Sequence, residues 1–116
     1  GPYLLYTYVR TQSILGKSSN FKTPNSVNLN PEEKNILRLL YQFPEVVQQA
    51  AVRYTPHLIA TYLFNLAQSF NFFYQKHPVL KSAEQTKQFR LSLTSAVGTT
   101  IKEGLRLLGI ETVNKM

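Results

Sequence analysis

Apolar positions in this chain recur at intervals of three and four, the spacing of one face of an α-helix. No stretch alternates convincingly with the period of two that marks a half-buried strand. The longest helical stretch is Tyr54 to Pro78, YTPHLIATYLFNLAQSFNFFYQKHP. Ile59, Tyr62, Leu63, Leu66, Phe70 and Phe73 form its apolar stripe, and Phe64 and Phe72 point off that stripe. A helix apolar on several sides is normally surrounded by other helices, which puts this one at the centre of a bundle. Thr55 is its expected N-cap, Pro56 fits the first helical position, and Pro78 ends it. Asn65, Gln68, Ser69 and Asn71 interrupt the apolar run too early for a membrane span.

The other stretches build helices around it. Pro2 to about Ser18 predicts a first helix with Leu4, Leu5, Tyr8, Val9, Gln12 and Leu15 on one face, and Gly16 as its stop. Residues 17–30, rich in Ser, Asn, Lys and Pro, read as a surface loop. Asn30, Pro31 and Glu33 make a capping box with proline at the first helical position. Ile36, Leu39, Leu40 and Phe43 then form an apolar face, which Phe43-Pro44 is expected to break. A short third helix, PEVVQQAAVRY, is expected to turn Val46, Val47, Ala50 and Ala51 inward. After a connector at 78–82, Ser82 is the expected cap of a last helix that stops at Gly109. Phe89, Leu93, Val97, Ile101 and Leu105 follow at intervals of four along it. Gly98 and Gly104 inside this helix suggest close helix–helix approach, because each costs up to about 1 kcal/mol relative to alanine. The expected class is all-α, a helical bundle of about five helices.

Composition adds charge to this picture. The 116 residues are 43% hydrophobic, enough for one domain with one core, expected over residues 1–116. There is no cysteine, hence no disulfide and no thiolate metal site, and the start GPYLLYTYVRTQ carries no secretory leader. A cytoplasmic location is expected. Thirteen Lys and Arg stand against six Asp and Glu, a net charge of +7 that favours a polyanionic partner.

Catalytic signatures are missing. There is no phosphate-binding glycine loop, no GxGxxG and no GxSxG, and no carboxylate pair stands out as an acid/base couple. His57 and His77 lack partners at metal-ligand spacing. His77 reads as a helix-end residue near the negative end of the dipole. Arg90 points partly inward and needs a partner, for which Glu33 or Glu45 is available. The seven Tyr and seven Phe are mostly core residues. Tyr74, at the rim of the central stripe, and Tyr3 and Tyr6, at i, i+3 spacing, are the ones placed to stack on single-stranded bases while Lys and Arg hold phosphates.

Three segments resemble, in order, the C-terminal anticodon-binding domain of arginyl-tRNA synthetases: PYLLYTYVRTQSIL; FPEVVQQAAVRYTPHLIATYLFNLAQSFNFFYQKHPVL; and FRLSLTSAVGTTIKEGLRLLGIETVNKM. The most specific pieces are FPEVV, PHLIATYLFNLAQSFNFFY and the LLGIE ending with its terminal Met. The resemblance covers nearly the whole chain, with the 17–30 loop longer and more polar than the pattern requires. It implies a helical bundle that packs on a class I catalytic domain of the same polypeptide and reads the tRNA anticodon loop. It also implies that loop bases are held by Tyr3, Tyr6, Tyr74 and Met116. The ATP-site signatures of the family are absent here, so ATP and arginine would bind a catalytic domain outside this fragment, which needs no cofactor and is expected to be inactive alone. Neither membrane nor duplex DNA is an expected partner. A helical protein–protein interaction module is the alternative from another class, since a face that packs on a catalytic domain must leave apolar surface exposed.

Overall fold

The computed structural model describes residues 2–17 and 28–110. Among these, four helices make up the fold: α1 (Pro2–Gly16), α2 (Pro31–Arg53), α3 (His57–Lys76) and α4 (Glu84–Leu107). No strand occurs among the described residues. The third helix packs on each of the other three, as its apolar stripe predicts; α4 does the same, while α1 and α2 lie on opposite sides and do not meet. Leu63, Leu66, Phe70 and Phe73 of α3 are fully buried against Ile36 of α2 and Leu91, Val97, Ile101 and Leu105 of α4. One flank of α3 is uncovered, and Phe64 and Phe72 stand there 45% and 53% exposed.

The expected break at Pro44 does not occur. Residues 31–53 form one helix with Pro44 inside it, so the described residues hold four helices where five were expected. The reason is visible in the pattern. Ile36, Leu39, Leu40, Phe43, Val46 and Ala50 keep one helical phase across the proline, and burying that single face outweighs a lost hydrogen bond. The Tyr62 hydroxyl donates to the Leu39 carbonyl in the turn that precedes the proline, and burial pushes the Tyr62 phenol up to about 12. Ala51, expected inside, is exposed.

The capping box forms as expected: Asn30 Oδ1 accepts from the Glu33 amide at 2.7 Å, and Glu33 Oε1 accepts from the Asn30 amide at 2.9 Å. Two other caps differ. Thr55 is not a side-chain cap; its Oγ1 is buried and has no hydrogen-bond partner among the described residues, and Tyr54 closes α2 in the left-handed region at φ 52°. Ser82 is not the cap of α4, because its hydroxyl donates back to the Pro78 carbonyl and leaves Ala83 at the helix start. On α1, Thr7 and Thr11 are buried although polar, each bonding a carbonyl of its own helix, Tyr3 O and Tyr8 O.

Arg90 finds the expected carboxylate. Its Nε donates to Glu33 Oε2 at 2.9 Å, and its Nη1 donates to the Pro78 carbonyl at 2.8 Å and to Ser82 Oγ at 3.0 Å. His77 closes α3 and lies 2.7 Å from Glu32 Oε1. That hydrogen bond is the main cause holding the Glu32 carboxyl below the usual carboxylate range.

Gly98 and Gly104 do mark close approaches. A Cβ on Gly98 would lie 2.5 Å from Thr11 Oγ1, and one on Gly104 would lie 2.6 Å from both Leu63 Cδ atoms. Leu63 is fully buried and has nowhere to move. Gly104→Ala is therefore expected to cost about 1–3 kcal/mol, despite its better helix propensity. Gly16→Ala, with open space around it, should be neutral or mildly stabilising. Denaturant midpoints of the two variants check this, and equal midpoints would refute the steric account.

Candidate nucleic-acid interface

Helical spacing puts Tyr3, Tyr6, Thr7 and Arg10 on one line of α1, and Asn71 and Tyr74 one turn apart on α3. Where these helices pack side by side, the two lines interlock. Asn71 Nδ2 donates to Tyr3 Oη and to Thr7 Oγ1, both at 2.9 Å. Asn71 Oδ1 accepts from Arg10 Nη1, also at 2.9 Å. The other arm of Arg10 donates to Tyr6 Oη at 2.5 Å. Its guanidinium carbon lies 4.9 Å from the Tyr6 ring centroid and 5.1 Å from that of Tyr74, so the cation is held between two rings. Tyr74 is fixed from below by Phe70, fully buried and nearly parallel, with ring centroids 6.2 Å apart and an angle of 11°.

Arg10 and Tyr74 form a ridge between two clefts. One, of about 610 Å³, lies between Tyr3 and Phe72 with the amides of Gln68, Asn71 and Gln75 around it. The other, of about 360 Å³, lies between Tyr6 and Leu80 with Lys17 at its edge. The first falls in the size range of small-ligand pockets. Among the described residues, no carboxylate lines either cleft. Indeed, α1 and α3 contain no Asp or Glu at all. Arg10 is thus half-buried with neutral acceptors and ring faces around it and no anion of these helices beside it. Flat rings, amide edges and a cation with no carboxylate beside it among the described residues suit a planar ligand that carries negative charge, which is the chemistry of an unpaired nucleotide.

Three of the four residues expected at the site come together here. Tyr3 and Tyr6 are 36% and 48% exposed, and both reach the Arg10–Tyr74 ridge. Met116 lies outside the described residues. Arg10 and Asn71, which organise the group, were not expected. In the sequence Arg10 is one more positive charge, and Asn71 merely interrupts an apolar run. The i, i+4 step from Tyr6 to Arg10 was the available signal, but nothing in the sequence marks Asn71 as their partner. Among the described residues, no group of three or more His, Asp or Glu is placed to hold a metal ion, and no helix is long and apolar enough to cross a membrane.

Residues 4–116 match the DALR anticodon binding domain. The chain is 41% identical to an arginine–tRNA ligase of Halothermothrix orenii, over 100% of its own length and 21% of that protein's. It is 41% identical to an arginine–tRNA ligase of Pyrococcus abyssi, covering 99% of this chain and 19% of that one. Among solved structures, Thermus thermophilus arginyl-tRNA synthetase superposes with a TM-score of 0.94 at 36% identity, over 100% of this chain and 21% of the other. The chain therefore spans about a fifth of the length of the relatives it matches.

Proposed function

The chain belongs to the DALR anticodon binding domain family, and on that premise we propose that it binds the unpaired anticodon loop of a tRNA on the joint face of α1 and α3. The observation that carries this is Arg10, sandwiched between Tyr6 and Tyr74 on two helices without a carboxylate. Loop bases stack on the tyrosines, amides read their edges, and Arg10 and Lys17 meet phosphates. Met116 is proposed to join the same loop. The chain would serve as one domain of an arginine–tRNA ligase, supplying binding and orientation while a catalytic domain of the same polypeptide holds ATP, arginine and the acceptor end. The exposed Tyr41 and Val52, on one line of α2, and the exposed Tyr54 support a packing face for that domain away from the RNA face.

The test is a titration of the chain with tRNA and with duplex DNA across a salt series. Affinity for tRNA is expected to fall steeply with salt, because each neutralised phosphate releases counterions. Lys17 is exposed at the edge of the smaller cleft, and Lys17→Ala should lower the slope of log K against log salt by about one. A salt-independent affinity, or duplex DNA bound as well as tRNA, would overturn the proposal.

A further inference from the structure

The uncovered flank of α3 continues the aromatic surface past Tyr74. Phe64, Gln68 and Phe72 follow at intervals of four, one above the other on this flank. Phe72 is a large apolar side chain that is 53% exposed, yet it lines the larger cleft with Gln68 and Gln75. The Lys76 ammonium stands 5.1 Å from the centroid of its ring. Glu32, the carboxylate near Lys76, is 3.9 Å away and is already engaged with His77 at 2.7 Å. Lys76 itself is half exposed, and a contact as long as 3.9 Å holds it weakly, so the ammonium can swing to a ligand.

We propose that Phe72, Gln68, Gln75 and Lys76 form a subsite for one further unpaired nucleotide of the same RNA loop, beyond the bases held at the Arg10–Tyr74 ridge. The base stacks on the Phe72 ring, the two glutamine amides meet its edge, and Lys76 takes its phosphate. This rests on the RNA-binding function proposed above. Three features favour a nucleotide over a protein surface. A glutamine amide offers both a donor and an acceptor, as base edges require. Among the described residues, the cleft carries the positive charge of Arg10 and no carboxylate. It is also continuous with the ridge, since Arg10 and Tyr74 form part of its wall. A packed domain face would instead bury a mostly apolar centre with few charges.

The experiment uses the 116-residue chain and an RNA hairpin carrying the anticodon stem and loop of an arginine tRNA. A matched series of hairpins lacks one loop base at a time. Phe72→Ala is expected to bind the intact hairpin about tenfold more weakly than wild type, and Phe72→Trp to bind it normally. With one particular abasic hairpin, outside the anticodon triplet, wild type and Phe72→Ala should bind equally. Phe72 is half exposed, so its variants should keep the wild-type melting temperature. Tyr74→Ala is the control for the function itself. If Tyr74→Ala weakens binding while Phe72→Ala binds as wild type, the subsite is refuted and the function stands. If wild type does not bind the hairpin, both fall. If the Phe72→Ala deficit is the same on every abasic hairpin, or appears only as weaker association with a separately added catalytic domain, Phe72 holds no base and the proposal is wrong.

Discussion

Tyr74→Ala is expected to weaken binding of an anticodon stem-loop by about 1–3 kcal/mol, the stacking energy of a base on one aromatic ring. Removing the ring uncovers Phe70 and takes away one of the two faces that confine Arg10. The cation is then confined on one side only, by Tyr6 and Asn71. Tyr74→Phe keeps both ring contacts and should bind close to wild type. In an intact synthetase, the same loss should appear in kcat/KM for tRNA charging, with arginine activation nearly unchanged. Titration and thermal melting of each variant decide the matter. If Tyr74→Ala binds normally, or loses binding only in proportion to lost stability, the ring is a packing residue.

Tyr74 shows which features are legible in the sequence. Its place at the rim of an apolar stripe is a local property, fixed by helical periodicity, and so are the buried positions of α3 and α4. The Asn30–Glu33 cap and the glycine contacts were legible for the same reason. Pro44 predicts a break because a breaker acts locally, whereas the face it interrupts gains from packing along its whole length. Thr55 and Ser82 look like caps because a hydroxyl that reaches a nearby carbonyl, or is buried, is indistinguishable in sequence from one that caps. Arg10 and Asn71 sit 61 positions apart, and their hydrogen bond depends on how α1 and α3 pack. Helical period says which face a residue is on, but not which residue of another helix it will meet.

Glu33→Ala is expected to have the largest effect on stability, about 3–5 kcal/mol. Glu33 is 2% exposed and serves two partners at once. One oxygen caps α2 and the other meets Arg90, whose side chain is 13% exposed. Alanine leaves the Asn30 amide uncapped and a mostly buried guanidinium without its counter-ion. Arg90→Met in the same chain removes the stranded charge, and the double variant should recover part of the loss. Chemical denaturation of the two single variants and the pair measures the coupling. A Glu33→Ala variant within about 1 kcal/mol of wild type would mean that water replaces the pair at little cost, contrary to this account.

The two lines of side chains that meet across α1 and α3 have a consequence for how the chain assembles. The α2–α3 hairpin closes over a few residues, whereas seating Arg10 beside Asn71 closes a loop of some sixty, so the proposed RNA face belongs to the slowly closing contacts. Its joint is made largely of neutral hydrogen bonds and ring contacts, each of modest net worth. An RNA loop that touches both helices binds only the closed arrangement and stabilises it by mass action. On the proposed function, the nucleic acid would be a structural member of the domain as well as its ligand, and recognition and the last step of folding would draw on the same free energy.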